Sequence, residues 1–163
     1  MTATHDGSGY VVEAGGGPAT WFLGTLMTAK AGSEQTGGAF TLLEWTAPPG
    51  FAPPLHRHQV EDEAFYILDG TLEVTCGDRR WQATPGAFVF LPRGVVHGFT
   101  VTGTVPIRGL QLTVPAGFEQ FMAEVGEPAQ ALTLPPPAAP DVEKLLAAAA
   151  RHRIDILGPP PGP

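Results

Sequence analysis

Two short segments constrain this chain more than anything else in it. One is Gly50-Phe51-Ala52-Pro53-Pro54-Leu55-His56-Arg57-His58-Gln59-Val60-Glu61-Asp62-Glu63, running on to Gly70; the other spans Gly86, Pro92, Gly94 and His97. Together they carry three histidines and one glutamate, whose nitrogen and oxygen donors suit a divalent transition metal. His56 and His58 stand two apart, and in a strand that spacing sends both side chains to one face. Glu63 follows five residues after His58, an odd offset that on one continuous strand would point it the other way. Residues 59–62 must therefore form a turn or bulge that returns Glu63 from the next strand. His97 comes from a third strand, after the Pro92-Arg93-Gly94 turn. The glycines at 50, 70, 86 and 94 sit where the reversals between these strands demand tight or positive-φ backbone.

The rest of the chain keeps the same rhythm. Strand-like composition runs from Trp21 to Lys30 and from Ala39 to Ala47, with Phe40, Leu42, Glu44 and Thr46 on one face and Thr41, Leu43 and Trp45 on the other. Turn-flanked strands follow at roughly 53–58, 63–69, 71–76, 80–83, 87–91, 96–102 and 106–114. The 21 glycines and 18 prolines mostly stand singly between them, as turns require. So many short strands predict an all-β sandwich or jelly roll in one domain, for which 163 residues suffice.

Three regions are expected: a flexible N-terminal arm at 1–20, a barrel at 21–115, and a helical, proline-rich C-terminal extension at 116–163 that packs on the barrel. The arm adds an edge strand at Tyr10-Val11-Val12. In the extension, Phe118, Phe121, Met122 and Val125 recur at helical spacing, closed by Gly126, which predicts an amphipathic helix over a barrel mouth or flank. After Pro135-Pro136-Pro137, Asp141 is the N-cap of a helix to about His152, whose apolar stripe is Val142, Leu145, Leu146 and Ala149. Arg153–Leu157 reads as a last strand, and Gly158–Pro163 should fray.

The two segments match, position for position, the signature motifs of the cupin superfamily. Gly, five residues, His-x-His, four residues, Glu, six residues, Gly is met by Gly50, His56, His58, Glu63 and Gly70; Gly, five residues, Pro-x-Gly, two residues, His is met by Gly86, Pro92, Gly94 and His97. The family pattern continues to an Asn where this chain has Val101, a departure outside the ligand set. The resemblance covers roughly residues 38–114. It implies a double-stranded β-helix holding one divalent transition metal per chain (Fe, Ni, Mn, Co, Cu or Zn) on His56, His58, Glu63 and His97.

Within that superfamily the chain looks most like the single-domain quercetin-dioxygenase-like group. The weaker echoes are Thr36-Gly37-Gly38-Ala39-Phe40, Glu63-Ala64-Phe65-Tyr66 and Ala116-Gly117-Phe118-Glu119-Gln120-Phe121. The resemblance implies a dioxygenase taking O2 and a hydroxylated aromatic, flavonol-like or enolizable small molecule, with Glu63 as the catalytic acceptor of the hydroxyl proton. A non-redox cyclase or isomerase and a binding module without turnover are the alternatives. Phe40, Leu42, Phe65, Tyr66 and Phe99 are candidate walls of an apolar substrate pocket; Phe65 and Phe99 share face parity with a ligand. Each is also an ordinary core position of a barrel.

Other residues carry blander expectations. Glu61 shares parity with Glu63 but breaks the family spacing; Asp62 caps the turn or supports a ligand. His5 and His152 belong to solvent near the chain ends, and Cys76 to the core. Trp21, Trp45 and Trp81 belong to barrel flanks or a dimer surface. Ser8 and Ser33 lack the setting of a hydrolytic serine. A net charge of −7 without a basic run argues against nucleic acid. No stretch is apolar enough to span a membrane and no secretory start is evident, so the protein is expected to be soluble and cytoplasmic. Charged residues make up only 15%, against ~25% in an average soluble domain, which points to a surface shared with a second copy, a homodimer.

Overall fold

The structure is a computed structural model and describes residues 8–161. Two antiparallel sheets face one another as a double-stranded β-helix. The first has seven strands in the order β11 (Glu127–Pro128), β1 (Ala19–Phe22), β2 (Thr25–Ala31), β3 (Thr41–Ala47), β10 (Ile107–Val114), β5 (Asp62–Asp69) and β8 (Phe88–Leu91). The second has five, in the order β12 (Ile154–Gly158), β4 (Leu55–His58), β9 (His97–Thr102), β6 (Thr71–Cys76) and β7 (Arg79–Ala83). Alternation decides what fills the space between them. β3 buries Thr41, Leu43, Trp45 and Ala47 and turns the residues between toward the outside. Leu43, Phe65, Ile67, Leu72, Leu91 and Ile107 are fully buried at the centre.

The four motif glycines all have positive φ, as the turn reading requires. Gly70 has a second reason to lack a side chain: a Cβ there would stand 2.8 Å from the Cα of Ile107 and from the carbonyl oxygen of Pro106. The reversal between β5 and β6 therefore closes only around glycine.

Several local expectations need correction. Trp21–Lys30 is two strands, because Leu23 and Gly24 take positive φ and turn the chain between β1 and β2. A short helix, α1 (Ser33–Thr36), precedes β3. Tyr10-Val11-Val12 is not in a strand; the Tyr10 hydroxyl instead donates to the Lys30 carbonyl. Gly158 belongs to β12, the Leu55 amide donates to the Pro159 carbonyl, and Pro161 lies against Gly98, so the described part of the tail is tied down. His5 and residues 162–163 lie outside the described residues.

Two helices cover one mouth of the barrel. In α2 (Phe118–Val125) the buried side chains are Phe118, Phe121 and Met122, and both phenylalanines meet Phe22 edge-on, at 6.1 and 5.6 Å. In α3 (Val142–Arg151) the buried face is Leu145, Ala148 and Ala149, whereas Val142 and Leu146 are exposed. The helix is rolled from the expected stripe because its alanines permit the closest approach to the barrel. β12 then pairs antiparallel with β4, the strand that carries two of the candidate ligands. Among the described residues no helix is long and apolar enough to cross a membrane.

Asp141 caps α3, accepting from the Lys144 amide at 2.9 Å. Asp141→Ala is expected to cost about 1 kcal/mol. Thermal unfolding should show this as a Tm lower by roughly 2–4 °C.

Candidate metal centre

Both sheets contribute to one buried cluster. β4 supplies His56 and His58, β9 supplies His97 opposite His56 in register, and β5 supplies Glu63 from the facing sheet. The bend at Gln59–Val60 between β4 and β5 makes the crossing that the odd spacing required. One donor atom from each of the four side chains lies within 4.8 Å of the others.

The hydrogen bonds around the cluster decide which atoms face its centre. His56 Nδ1 lies 2.8 Å from the Pro54 carbonyl, His97 Nδ1 lies 3.0 Å from the Val95 carbonyl, and His58 Nδ1 lies 3.4 Å from Glu61 Oε2. Each partner is an acceptor, so each Nδ1 carries the proton and each Nε2 presents a lone pair inward. His97 Nε2 then meets Glu63 Oε2 at 3.1 Å, acceptor against acceptor. His58 Nε2, 4.0 Å from the same oxygen, is buried with no partner at all. Leaving such a group unpaired costs about 1–3 kcal/mol. A cation at the centre answers both conflicts, and two ligands each ~2.1 Å from one ion at a right angle stand ~3 Å apart. The chemistry and spacing of these donors fit a divalent metal ion.

Electrostatics point the same way. Burial would raise the Glu63 carboxyl, but the His97, His58 and His56 rings gathered around it hold it at about 2, so it stays anionic. His56 falls to about 4, chiefly through burial and then the neighbouring His97 ring, so it stays neutral with a free lone pair. Burial pulls His58 down as well, yet the hydrogen bond that its Nδ1–H donates to Glu61 and the charge of Glu63 outweigh it and leave its pKa raised.

Glu61 is thus not a rival ligand. It is buried and holds the far side of the His58 ring. Asp62 accepts from the Arg93 amide and guanidinium and ties the Pro92-Arg93-Gly94 turn to the start of β5, which sets His97 relative to Glu63. Glu61→Gln is expected to weaken metal binding about 10-fold or more by loosening His58. Equilibrium titration with Zn(II) or Co(II) measures this.

Gln111 was not singled out by sequence, and it belongs here. Its amide donates to Glu63 Oε1 at 2.5 Å, so one carboxylate oxygen is held by β10 while Oε2 faces the histidines. A polar side chain at an inward position between Gly109 and Thr113 was the available signal. Thr113 is also inward, across from Glu63, with its hydroxyl unpaired.

A cavity of ≈60 Å³ opens beside the cluster, with His56, His58, Glu63 and Gln111 as its polar lining. Phe65 and Phe99 line it, their ring centroids 5.3 Å apart, and both touch Trp45, which also lines it and is no flank or surface residue. The roof comes from outside the motifs: Phe118 and Phe121 of α2, Leu145 of α3, and Ile154 and Ile156 of β12. Phe40, Leu42 and Tyr66 lie elsewhere, which corrects their expected place. In β3 the odd-numbered residues look inward, and in β5 Glu63, Phe65 and Ile67 do, so all three point out of the barrel.

Of the remaining residues, Trp21 donates to the Thr133 carbonyl at 2.8 Å and Trp81 is exposed on β7. Cys76 is buried, which raises its thiol pKa. His152 is not free in solvent: its Nε2 lies 2.8 Å from Glu124 and its ring sits against Phe121.

A cupin-domain family model matches residues 43–113. Quercetin 2,3-dioxygenase of Bacillus subtilis (strain 168) is 28% identical over 129 residues, covering 78% of this chain and 38% of that protein. Alginate biosynthesis protein AlgA of Pseudomonas aeruginosa is 28% identical over 80 residues, 49% of this chain and 17% of that protein. The chain therefore spans well under half the length of these two relatives. Among solved structures, the polyketide cyclase RemF of Streptomyces resistomycificus superposes with TM-score 0.56 at 23% identity, over 66% of this chain and 80% of its own. An oxalate decarboxylase, so described by prediction, from Thermotoga maritima superposes with TM-score 0.58 at 22% identity, over 65% and 99%. These structures share the barrel architecture. The paired motifs, the family match over residues 43–113 and the two-sheet architecture agree that this part of the chain is a cupin domain.

Proposed function

We propose that this protein is a metal-dependent cupin enzyme, a dioxygenase acting on a hydroxylated aromatic or other enolizable small molecule. One observation carries the reading: a buried three-histidine, one-carboxylate cluster opens directly onto an apolar cavity walled by Phe65 and Phe99. The similarity to a quercetin 2,3-dioxygenase over 78% of the chain supports it. A bound divalent ion would acidify a substrate hydroxyl and, if redox-active, support reaction with O2.

The chain's own residues have distinct tasks. Glu63 Oε2 sits where the cavity meets the histidines and accepts the hydroxyl proton. Held near 2, this carboxylate is a weak base, so it takes that proton only from an acidified hydroxyl. Gln111 fixes the other oxygen and so the orientation of the acceptor. Phe65, Phe99 and Trp45 exclude water and stack against a planar ring. The cavity of ≈60 Å³ is far below the ~300–1,000 Å³ of pockets for larger ligands, so entry of such a substrate requires Leu145, Ile154 and Ile156 to move outward.

O2 consumption by Fe- or Ni-reconstituted protein over a panel of flavonols and simpler hydroxy-ketones tests the reading. Turnover that consumes O2 and is lost in Glu63→Gln is the expected result. Turnover of the same compounds by zinc-loaded protein without O2 would replace it with a non-redox cyclase or isomerase.

A further inference from the structure

The cavity beside the histidines has a larger neighbour. A groove of ≈680 Å³ lies between the turn joining β1 to β2, the loop before β4, α3 and the proline-rich stretch that leads into α3. Six residues line both spaces: Leu23, Phe51, Pro53, Pro54, Leu145 and Ile156. One layer of side chains therefore divides the metal cavity from the groove. The inner space of ≈60 Å³ holds a few water molecules at most, whereas the outer one has the size of a pocket for a drug-sized ligand.

Leu23 stands where turn chemistry does not favour it. It forms with Gly24 the two-residue loop between Phe22 and Thr25, which pair across the hairpin, and both loop residues have positive φ, 51° and 85°. Two positive φ values mark a type I′ turn, whose first position favours asparagine, aspartate or glycine. A leucine is strained there, and strain of this kind is held in place where the side chain has another use. Here the side chain is part of the partition between the two spaces.

The other walls of the groove are anchored and apolar. β11 pairs with β1, the Ala129 amide donates to the Ala19 carbonyl, and the Trp21 indole donates to the Thr133 carbonyl, so the chain leading into Pro135 and Pro136 is tied to β1. Both prolines line the groove, and proline has no N–H that needs a partner. Across from them stand Val142 and Leu146, the two members of the α3 stripe that the barrel leaves 57% and 48% exposed. The charged side chains along the groove are Glu127, Asp141 and Lys144, which carry both signs and so select no charged ligand. Trp21, Leu23, Pro135, Val142 and Leu146 all lie outside residues 43–113, so this groove is made mainly by what the chain adds to its cupin domain.

We propose, resting on the dioxygenase reading above, that the groove is a second subsite of the metal centre and that the substrate has two parts. A hydroxy-ketone head occupies the cavity; a neutral, flat aromatic group attached to it occupies the groove, with Leu23 and Leu145 turned aside to join the two spaces. A substrate made of the head alone leaves Val142 and Leu146 in water, and a ring laid on them removes that apolar surface from water.

Calorimetric titration of zinc-loaded whole protein, without O2, with 3-hydroxychromone and with unsubstituted flavonol tests the proposal. The two compounds share one head and differ by a phenyl ring. Flavonol is expected to bind about 10-fold or more tighter, with a more negative heat-capacity change. Val142→Glu with Leu146→Glu is expected to erase that difference and leave the Kd of 3-hydroxychromone unchanged. Both positions are exposed, and the unchanged smaller compound reports that the variant is folded and its metal site intact. Equal affinities in the wild type, no binding of either compound, or a difference that survives the double substitution would overturn the proposal. The two readings fail separately. Binding as described without O2 uptake by Fe- or Ni-loaded protein removes the dioxygenase and keeps the subsite; O2 uptake with equal affinities does the reverse.

Discussion

Glu63→Gln is expected to yield a folded protein whose metal affinity is lower by more than about 100-fold, since a charged ligand is lost and not merely its support. The fold survives because the new amide fits the metal-free site. One end still accepts from Gln111, and the N–H end donates to the His97 Nε2 lone pair that Glu63 Oε2 opposes at 3.1 Å. Metal content by elemental analysis and Co(II) absorption measures the loss. Acid titration adds a second signature. Glu63 is depressed from 4.5 to about 2 in the folded protein, so it contributes stability that is present above pH 4.5 and lost as pH falls through about 2. The glutamine variant lacks that group and should lose less stability over the same acid window. A variant that binds metal like the wild type would remove Glu63 from the centre altogether.

Trp45→Ala is expected to have the largest effect on stability of any single change in the barrel. Its indole is 1% exposed and meets the rings of Phe65 and Phe99 at 5.4 and 5.6 Å, so truncation leaves a large void between both sheets. Such changes cost about 3–5 kcal/mol. In a domain of this size that lowers Tm by roughly 10 °C. Trp45→Phe should cost far less. It keeps most of the packing and removes a buried indole N–H that has no acceptor, whose burial works against the fold by about 1–3 kcal/mol. Equal damage from Phe and Ala would mean that the indole nitrogen has a partner, and this account of the packing would fail. Denaturant unfolding of the two variants decides between these outcomes.

The candidate ligands were legible because each clue to them is local. Two histidines two residues apart share a face, and the motif glycines mark reversals that bring β4, β5 and β9 together. The wall residues were legible only in part. Phe65 and Phe99 follow from parity with Glu63 and His97, and the same rule, applied to Tyr66 and to the strand of Phe40 and Leu42, sends those three outward. Composition could not distinguish the two faces, since the outer one is also apolar. Gln111 escaped notice because its importance lies in a partner 48 residues away.

The sequence alone determined the two-sheet barrel, the turns that close it and the identity of the four converging donors, because strand alternation and turn chemistry act over a few residues. Only the tertiary structure decided what roofs the cavity and which strand faces are left uncovered. Phe118, Leu145 and Ile154 reach the site through packing across long stretches of chain, and Phe88 and Phe90 stay exposed among the described residues. Contacts at that separation are set by whole-domain packing, which no local pattern encodes.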